Sequence, residues 1–256
     1  MSEGTAARFA AARHDAGLAV LEGFHPVKHA LRFGAELLEV VAVEREEVAA
    51  LAARLAPDVA DALARRVEPV SAEEFAALCP APPATRVAAL ARRPAVDLAA
   101  RLAAPGPGPV VLLDGPRHLG NVGATVRVAA AAGAEAVAVT GTADPWHPAA
   151  LRGGAGLQFA LPVGRLDSLD RLARPVLALD PAGEPPGSEP LPPGAILAFG
   201  SERRGLSAEV AARAARRVAL PMRPGVSSLN LATAVAAALY GLCVPSHSPP
   251  APGPGR

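Results

Sequence analysis

Lysine is almost missing from this chain. Lys28 is the only one, and arginine carries the rest of the positive charge. Aromatic residues make up 3% of the sequence, so few rings are available to fill a core or stack on a ligand. An excess of either charge is missing too: 25 Lys+Arg stand against 24 Asp+Glu. Residues 1–104 carry 12 basic against 14 acidic side chains, and the remainder 13 against 10. This excludes a protein that holds nucleic acid through a general field, but not a site with locally clustered arginines. Cys79 and Cys243 are the only cysteines and have no metal-ligand spacing, so a reduced, cytoplasmic protein is expected. Residues 1–14 include Arg8 and Arg13 and lack an apolar h-region, so no secretory signal is expected. No apolar run is long enough to span a bilayer. The Ala-rich stretch 229–244 is short and opens on a polar cap, so it reads as a buried helix and no membrane association is expected.

What is present is hydrophobic residue in quantity, 51% of 256 positions, enough for one large domain or two modest ones. The run Ala104-Pro105-Gly106-Pro107-Gly108-Pro109 cannot hold a helix and makes a poor internal strand. It divides the chain into a first domain (1–104), a linker (105–109) and a second domain (110–244). Residues 245–256, rich in Pro, Ser and Gly, read as a disordered tail.

Both parts alternate strands with helices. In the first, helices are expected at 4–14, 26–33, 46–55, 59–66 and 72–78, and strands at 19–21, 37–43, 67–70 and 87–91: a small α/β sandwich. In the second, strands are expected at 110–113, 136–139, 159–163, 176–179, 196–199 and 218–220, with helices at 122–132, 166–173, 208–215 and 229–242. Short apolar strands with interleaved helices imply a mostly parallel sheet covered on both faces. Ligands on such sheets bind beyond the carboxyl ends of the strands.

Three segments fall at such ends. The first is Asp114-Gly115-Pro116-Arg117-His118-Leu119-Gly120-Asn121-Val122-Gly123-Ala124-Thr125-Val126-Arg127. Gly115 and Gly120 have the spacing of a phosphate loop, but Asn121-Val122 follow instead of Lys-Ser/Thr. Glycines at 115, 120 and 123 do not make G-x-G-x-x-G, so a dinucleotide site is excluded as well. The segment reads as a turn, with Asn121 capping a helix from Val122 and Arg127 projecting inward between Val126 and Val128. The second segment, Phe199-Gly200-Ser201-Glu202-Arg203-Arg204-Gly205-Leu206, is a strand end turning through glycine. Glu202 is placed to pair with Arg127 or to orient a hydroxyl. Arg203 and Arg204 fit an RNA phosphate or a solvated basic loop equally. In the third, Leu220-Pro221-Met222-Arg223-Pro224-Gly225-Val226-Ser227-Ser228-Leu229-Asn230, prolines stiffen a loop and Ser228 suits a helix cap.

Taken jointly, these residues resemble the SpoU/TrmH family of RNA ribose 2′-O-methyltransferases, within the SPOUT class. Asn121, Gly123, Arg127 and Gly133 match its first motif. Gly200, Glu202, Gly205 and Leu206 match its second. Leu220, Pro221, Met222, Ser228, Leu229 and Asn230 match its third. The likeness spans residues 109–243. The start of the first motif also looks like the methyltransferases that confer resistance to thiopeptide antibiotics. Residues 19–91, through Glu22-Gly23-Phe24-His25-Pro26-Val27 and the helix after it, look like the small substrate-binding domain of many members, which resembles a ribosomal protein. One departure is visible: at Arg152-Gly153-Gly154-Ala155-Gly156 many relatives carry a serine.

The resemblance implies an α/β fold with a C-terminal trefoil knot, a homodimer, and S-adenosylmethionine held near Gly200, Leu220 and Leu229. It implies methyl transfer to a ribose 2′-hydroxyl in structured RNA, ribosomal ahead of transfer RNA. Arg127 would clamp the target's phosphate, because a guanidinium that stays charged makes a poor base. Asn121, Glu202, Ser228 and Asn230 would hold Arg127 and the ribose, with no metal required. His25, Lys28, His29, Arg32, Arg152 and Arg203 become RNA-contact candidates, with a solvated helix face as the plainer account of those in the first domain. The alternative is a non-catalytic RNA-binding or assembly protein that retained the knot.

Overall fold

The computed structural model describes residues 4–186, 191–192 and 194–243. The tail expected at 245–256 lies outside the described residues.

The first part forms α1 (Gly4–Ala12), β1 (Leu18–Glu22), α2 (Phe24–Arg32), β2 (Leu37–Ala42), α3 (Arg45–Leu55), α4 (Ala60–Ala64), β3 (Val67–Pro69), α5 (Ala72–Leu78) and β4 (Val87–Arg92). Its sheet runs β1-β4-β2-β3, with only the β2–β3 pair parallel. Strand alternation sorts the side chains. Val87, Ala89 and Ala91 of β4 face α2, α3 and α4, while Ala88 and Leu90 face Phe9 of α1 and Phe75 of α5. α5 opens on a reciprocal cap between Ser71 and Glu74.

The second part forms α6 (Leu98–Leu102), β5 (Val110–Asp114), α7 (Leu119–Ala131), β6 (Ala136–Val139), α8 (Pro148–Gly153), a 3-10 turn (Leu157–Phe159), β7 (Val163–Arg165), β8 (Val176–Glu184), β9 (Ile196–Gly200), α9 (Ala208–Arg213), β10 (Ala214–Val218), α10 (Leu231–Ala238) and a π turn (Leu239–Cys243). Its six strands are all parallel, in the order β10-β8-β9-β5-β6-β7. Val111, Leu113, Val137, Leu197 and Phe199 pack under α7 and α10. Val110, Leu112, Ala136, Ile196 and Ala198 pack under α6 and α9. The chain leaves β5 toward β6 on one side and places β9 on the other. This is the reversal of strand order where open α/β sheets bind ligands.

α6 packs into the second core through Leu98 and Leu102, one helical turn apart, with Asp97 as its cap. The buried Arg174 then closes the following segment. It donates to Glu135 at 2.7 and 3.0 Å and to the Ala104 carbonyl at 2.8 Å.

Several elements depart from the sequence expectation. Residues 166–173 do not form a helix, although Leu166 and Leu169 are buried as its pattern requires. The Ser168 hydroxyl accepts from the Asp170 N–H, a local bond that competes with helix formation. Residues 159–163 give way to the 3-10 turn, whose Phe159 sits edge-on to Trp146, and pairing starts only after Pro162, at Val163. The last strand is 214–218, four residues earlier than expected at its start, so α9 stops at Arg213. α8 and α6 were not foreseen.

Candidate active site

α7 begins at Leu119, not Val122, and His118 is its cap position, so Asn121 lies inside the first turn and does not cap the helix. Gly123 meets α8 so closely that a Cβ would stand 2.1 Å from the Ala150 carbonyl oxygen. Gly123 serves helix approach, while Gly115 takes the positive φ of the turn before α7.

Standing inside the helix aims Asn121 at the other two motifs. Its amide donates to the Glu202 carboxylate at 2.6 Å, and its carbonyl oxygen accepts from Asn230 at 3.2 Å. Asn230, and not Ser228, caps α10: its side-chain oxygen accepts from the Ala232 N–H at 3.0 Å. One hydrogen-bonded chain thus runs from the start of α10 through α7 to the loop after β9. It joins residues 81 and 109 positions apart.

That loop is fixed by its own backbone. Ser201 and Gly205 exchange both N–H···O bonds at 3.0 Å. Residue 200 must be glycine, since a Cβ there would lie 2.1 Å from the Gly205 carbonyl carbon and 2.3 Å from the Leu206 nitrogen. Beneath it the buried Asp114, at the end of β5, accepts from the Thr140 hydroxyl at 2.8 Å and from the Ser207 N–H at 2.6 Å. It ties together the loops that follow β5, β6 and β9. An acid closing an apolar strand was the available signal, and the sequence reading gave it no role.

Next to this chain lies a cavity of about 260 Å³ at the carboxyl ends of β8, β9 and β10. Leu179, Phe199, Leu220, Leu229 and Leu231 form its apolar wall; Asp180, Ser201, Glu202 and Ser228 supply polar groups. Gly200, Leu220, Leu229 and Arg203 all border it. The arrangement suits a flat apolar ligand body whose polar or cationic end meets carboxylates.

Arg127 is elsewhere. It is exposed, not directed inward, and makes no hydrogen bond or ion pair among the described residues. Val122, Val126 and Ala129 form the buried stripe of α7, which leaves 127 on the outer side. Its neighbours are His25 and Lys28 of α2. Burial, then Lys28 and Arg127, push His25 below the usual histidine range; burial, then Arg32, with a smaller push from Arg127, lowers Lys28. Neither Glu202 nor Asn230 reaches Arg127.

The remaining RNA-contact candidates are partly engaged within the protein. Arg32 makes a two-pronged pair with Asp58 at 2.6 and 2.7 Å. His29 Nδ1 bonds the Ala155 carbonyl at 2.7 Å. Arg152 of α8 donates at 2.9 Å to Glu22, whose buried carboxylate also accepts from Arg13 at 2.7 Å. Glu22 therefore links the two parts of the chain. Arg93 adds a second link, to Asp144 at 3.0 Å.

An all-parallel sheet with a cavity beyond the carboxyl ends of its strands defines a class of ligand-binding α/β proteins. Among solved structures, the chain is similar to the SpoU methyltransferase AviRb from Streptomyces viridochromogenes in complex with AdoMet, with a TM-score of 0.76 and 24% identity over 93% of this chain and 96% of that one. An AdoMet-bound rRNA methyltransferase from Sinorhizobium meliloti gives a TM-score of 0.74 at 25% identity over 94% of each chain. The model of the SpoU rRNA Methylase family matches residues 108–240, and the chain belongs to that family. A 23S rRNA (adenosine(1067)-2′-O)-methyltransferase of Streptomyces laurentii is 34% identical over 146 residues, 52% of this chain and 53% of the relative. An uncharacterized tRNA/rRNA methyltransferase of Synechocystis is 36% identical over 130 residues, 47% of each. The chain spans about half the length of the curated relatives it matches.

Proposed function

We propose that the protein transfers a methyl group from S-adenosylmethionine to a ribose 2′-hydroxyl of ribosomal RNA. The observation that carries this reading is the Glu202–Asn121–Asn230 chain, which joins the three motifs beside an apolar cavity at the strand ends. Related 23S rRNA 2′-O-methyltransferases from three bacteria are 33–34% identical to the chain over about half of its length, and the family match at residues 108–240 contains the three motifs.

The cavity fits the cofactor. Its apolar wall suits an adenosine, and Glu202, with Asp180 beside its Arg217 partner, offers carboxylates to the positive charges of the sulfonium and amino groups. When bound, the cofactor supplies a methyl carbon already activated by its sulfonium. What remains for the protein is orientation and the hydroxyl proton. Asn121, held from both sides, fixes Glu202 at the cavity edge. Arg127 holds the target's phosphate, and that phosphate or a water takes the proton.

Arg127 does not border its own chain's cavity. This supports a homodimer in which a second copy completes the site. The all-parallel sheet and the packing of α10 on α7 support the C-terminal knot of this family. The first part of the chain, with α2 turned toward Arg127, serves as the RNA-binding domain; since α6 packs into the second core, its limit lies before Leu98 rather than at the 105–109 linker. A cytoplasmic site of action accords with an rRNA target; no helix among the described residues is long and apolar enough to cross a membrane.

Arg127→Ala tests the assignment. Methyl transfer is expected to vanish while cofactor affinity stays within about tenfold, or ~1.4 kcal/mol. Calorimetry with S-adenosylmethionine separates this from a non-catalytic RNA-binding protein, which would give no heat. Mapping a labelled methyl in total RNA identifies the nucleotide.

A further inference from the structure

We propose that the outward edge of α2 is a stacking platform for unpaired bases of the RNA, centred on Phe33; this rests on the RNA reading above. Six phenylalanines occur in the chain, and Phe9, Phe24, Phe75 and Phe199 are at most 3% exposed. Phe159 is packed on Trp146. Phe33 alone is left 44% exposed. Helix formation does not require a ring there, because Phe33 is the residue at which α2 ends, and a ring left 44% exposed gains only part of what full burial would give the fold.

Its placement is fixed rather than loose. The Phe33 N–H donates to the His29 carbonyl, and the Ala35 N–H reaches back to Ala30 at 2.8 Å, closing the helix end. His25, His29 and Phe33 stand four residues apart, so their rings follow one edge of the helix. The His29 and Phe33 centroids are 6.4 Å apart. His29 is anchored by the Ala155 carbonyl, which stops it from swinging away. Cations border this edge: Lys28, Arg32 with its guanidinium held by Asp58, and Arg127 from α7.

Rings interleaved with cations recognise nucleotides whose bases are out of a helical stack. Duplex RNA hides its base faces and would engage only the cations. With a formal net charge of +1, the chain has no general field to hold RNA, so local stacking must carry affinity that phosphate contacts elsewhere supply. The platform therefore selects a loop or junction over a continuous helix.

The test compares an RNA hairpin bearing an open loop with the same stem as a blunt duplex, using the full chain. Phe33→Ala is expected to lose about tenfold in hairpin affinity, ~1.4 kcal/mol, with duplex affinity changed less than twofold. Phe33→Leu, apolar but without a ring, should lose as much, and Phe33→Trp should retain binding. Hairpin affinity untouched in Phe33→Ala, or an equal loss on both RNAs, overturns the platform alone. Dissociation of a wild-type oligomer by Phe33→Ala in light scattering also overturns it, because a second copy then covers the ring. Wild-type protein that binds neither RNA overturns both the platform and the rRNA activity.

Discussion

Replacing Glu22 with glutamine should loosen the joint between the two parts of the chain. The Glu22 side chain is 2% exposed, and each carboxylate oxygen has its own arginine: Oε1 takes Arg13 at 2.7 Å and Oε2 takes Arg152 at 2.9 Å. Glutamine keeps the shape but turns an acceptor into a donor that faces a guanidinium. Each charge-assisted bond is worth about 1.5–3 kcal/mol, and breaking a buried pair typically costs ~3–5 kcal/mol because a charge is stranded. Here the stranded charges are arginines whose side chains are 22% and 45% exposed, so they recover water. The expected loss is therefore about 2–3 kcal/mol, below the fully buried case. Arg152→Ala should cost less, about 1 kcal/mol, because Arg13 still neutralises the acid. Urea denaturation followed by circular dichroism measures both, and the double variant should show coupling of about 1 kcal/mol. A Glu22→Gln midpoint equal to wild type, or an Arg152→Ala loss as large as that of Glu22→Gln, would refute this account of the joint.

Three other outcomes follow from the site and the core. Asn121→Ala removes the 2.6 Å bond to Glu202 and the 3.2 Å bond from Asn230; turnover measured with labelled cofactor should fall about tenfold to a hundredfold with an unchanged circular dichroism spectrum. Gly200→Ala drives a Cβ into the backbone of Gly205 and Leu206; calorimetry should show cofactor binding weakened by at least about tenfold, since the loop cannot keep its bridge. Burial raises the Cys79 thiol to about 11. At pH 8 it should resist a thiol reagent until the protein unfolds. Its contribution to stability is complete below the unfolded value of 9.0 and is lost as pH rises from there toward about 11, so alkaline denaturation should start earlier in wild type than in Cys79→Ala relative to their neutral stabilities.

The strands of the second sheet were legible because parallel strands buried on both faces are short apolar runs, as in Val110–Asp114 and Ile196–Gly200. α6 and α8 were not, because five and six residues give too little periodicity to read. α8 is defined by what starts it, His147 Nδ1 accepting from the Ala149 N–H ahead of Pro148, and by the glycine of α7 that lets it approach. Residues 166–173 misled in the opposite direction: the apolar spacing is present but serves a buried turn. Asn121, Glu202 and Asn230 could be chosen individually from their motifs, whereas the bonds between them depend on where three strand ends meet. The orientation of Arg127 was readable. Apolar neighbours at 126 and 128 say little about a helical residue, since each is turned about 100° from it; the buried set 122, 126 and 129 places it outside.

That outward position carries a requirement. Lys28 and Arg127 act on His25, which burial first and then these two cations push toward its neutral form. Like charges gathered this way oppose folding slightly, and Asp58 offsets part of it by pairing with Arg32 and, more weakly, by attracting Lys28. An arriving phosphate reverses the sign of the interaction: it gains two cations at once while meeting a neutral imidazole able to donate or accept. The Glu22–Arg152, Arg93–Asp144 and His29–Ala155 contacts tie this group across the two parts of the chain, so under the proposed RNA reading binding would not carry the entropy cost of closing a mobile domain. The consequence is measurable. Severing the joint by Glu22→Gln should weaken RNA binding and leave cofactor affinity unchanged, because Glu22 touches none of the residues that line the cavity. Equal losses in both would mean that the first part of the chain supports the cofactor site itself rather than presenting a preset surface to RNA.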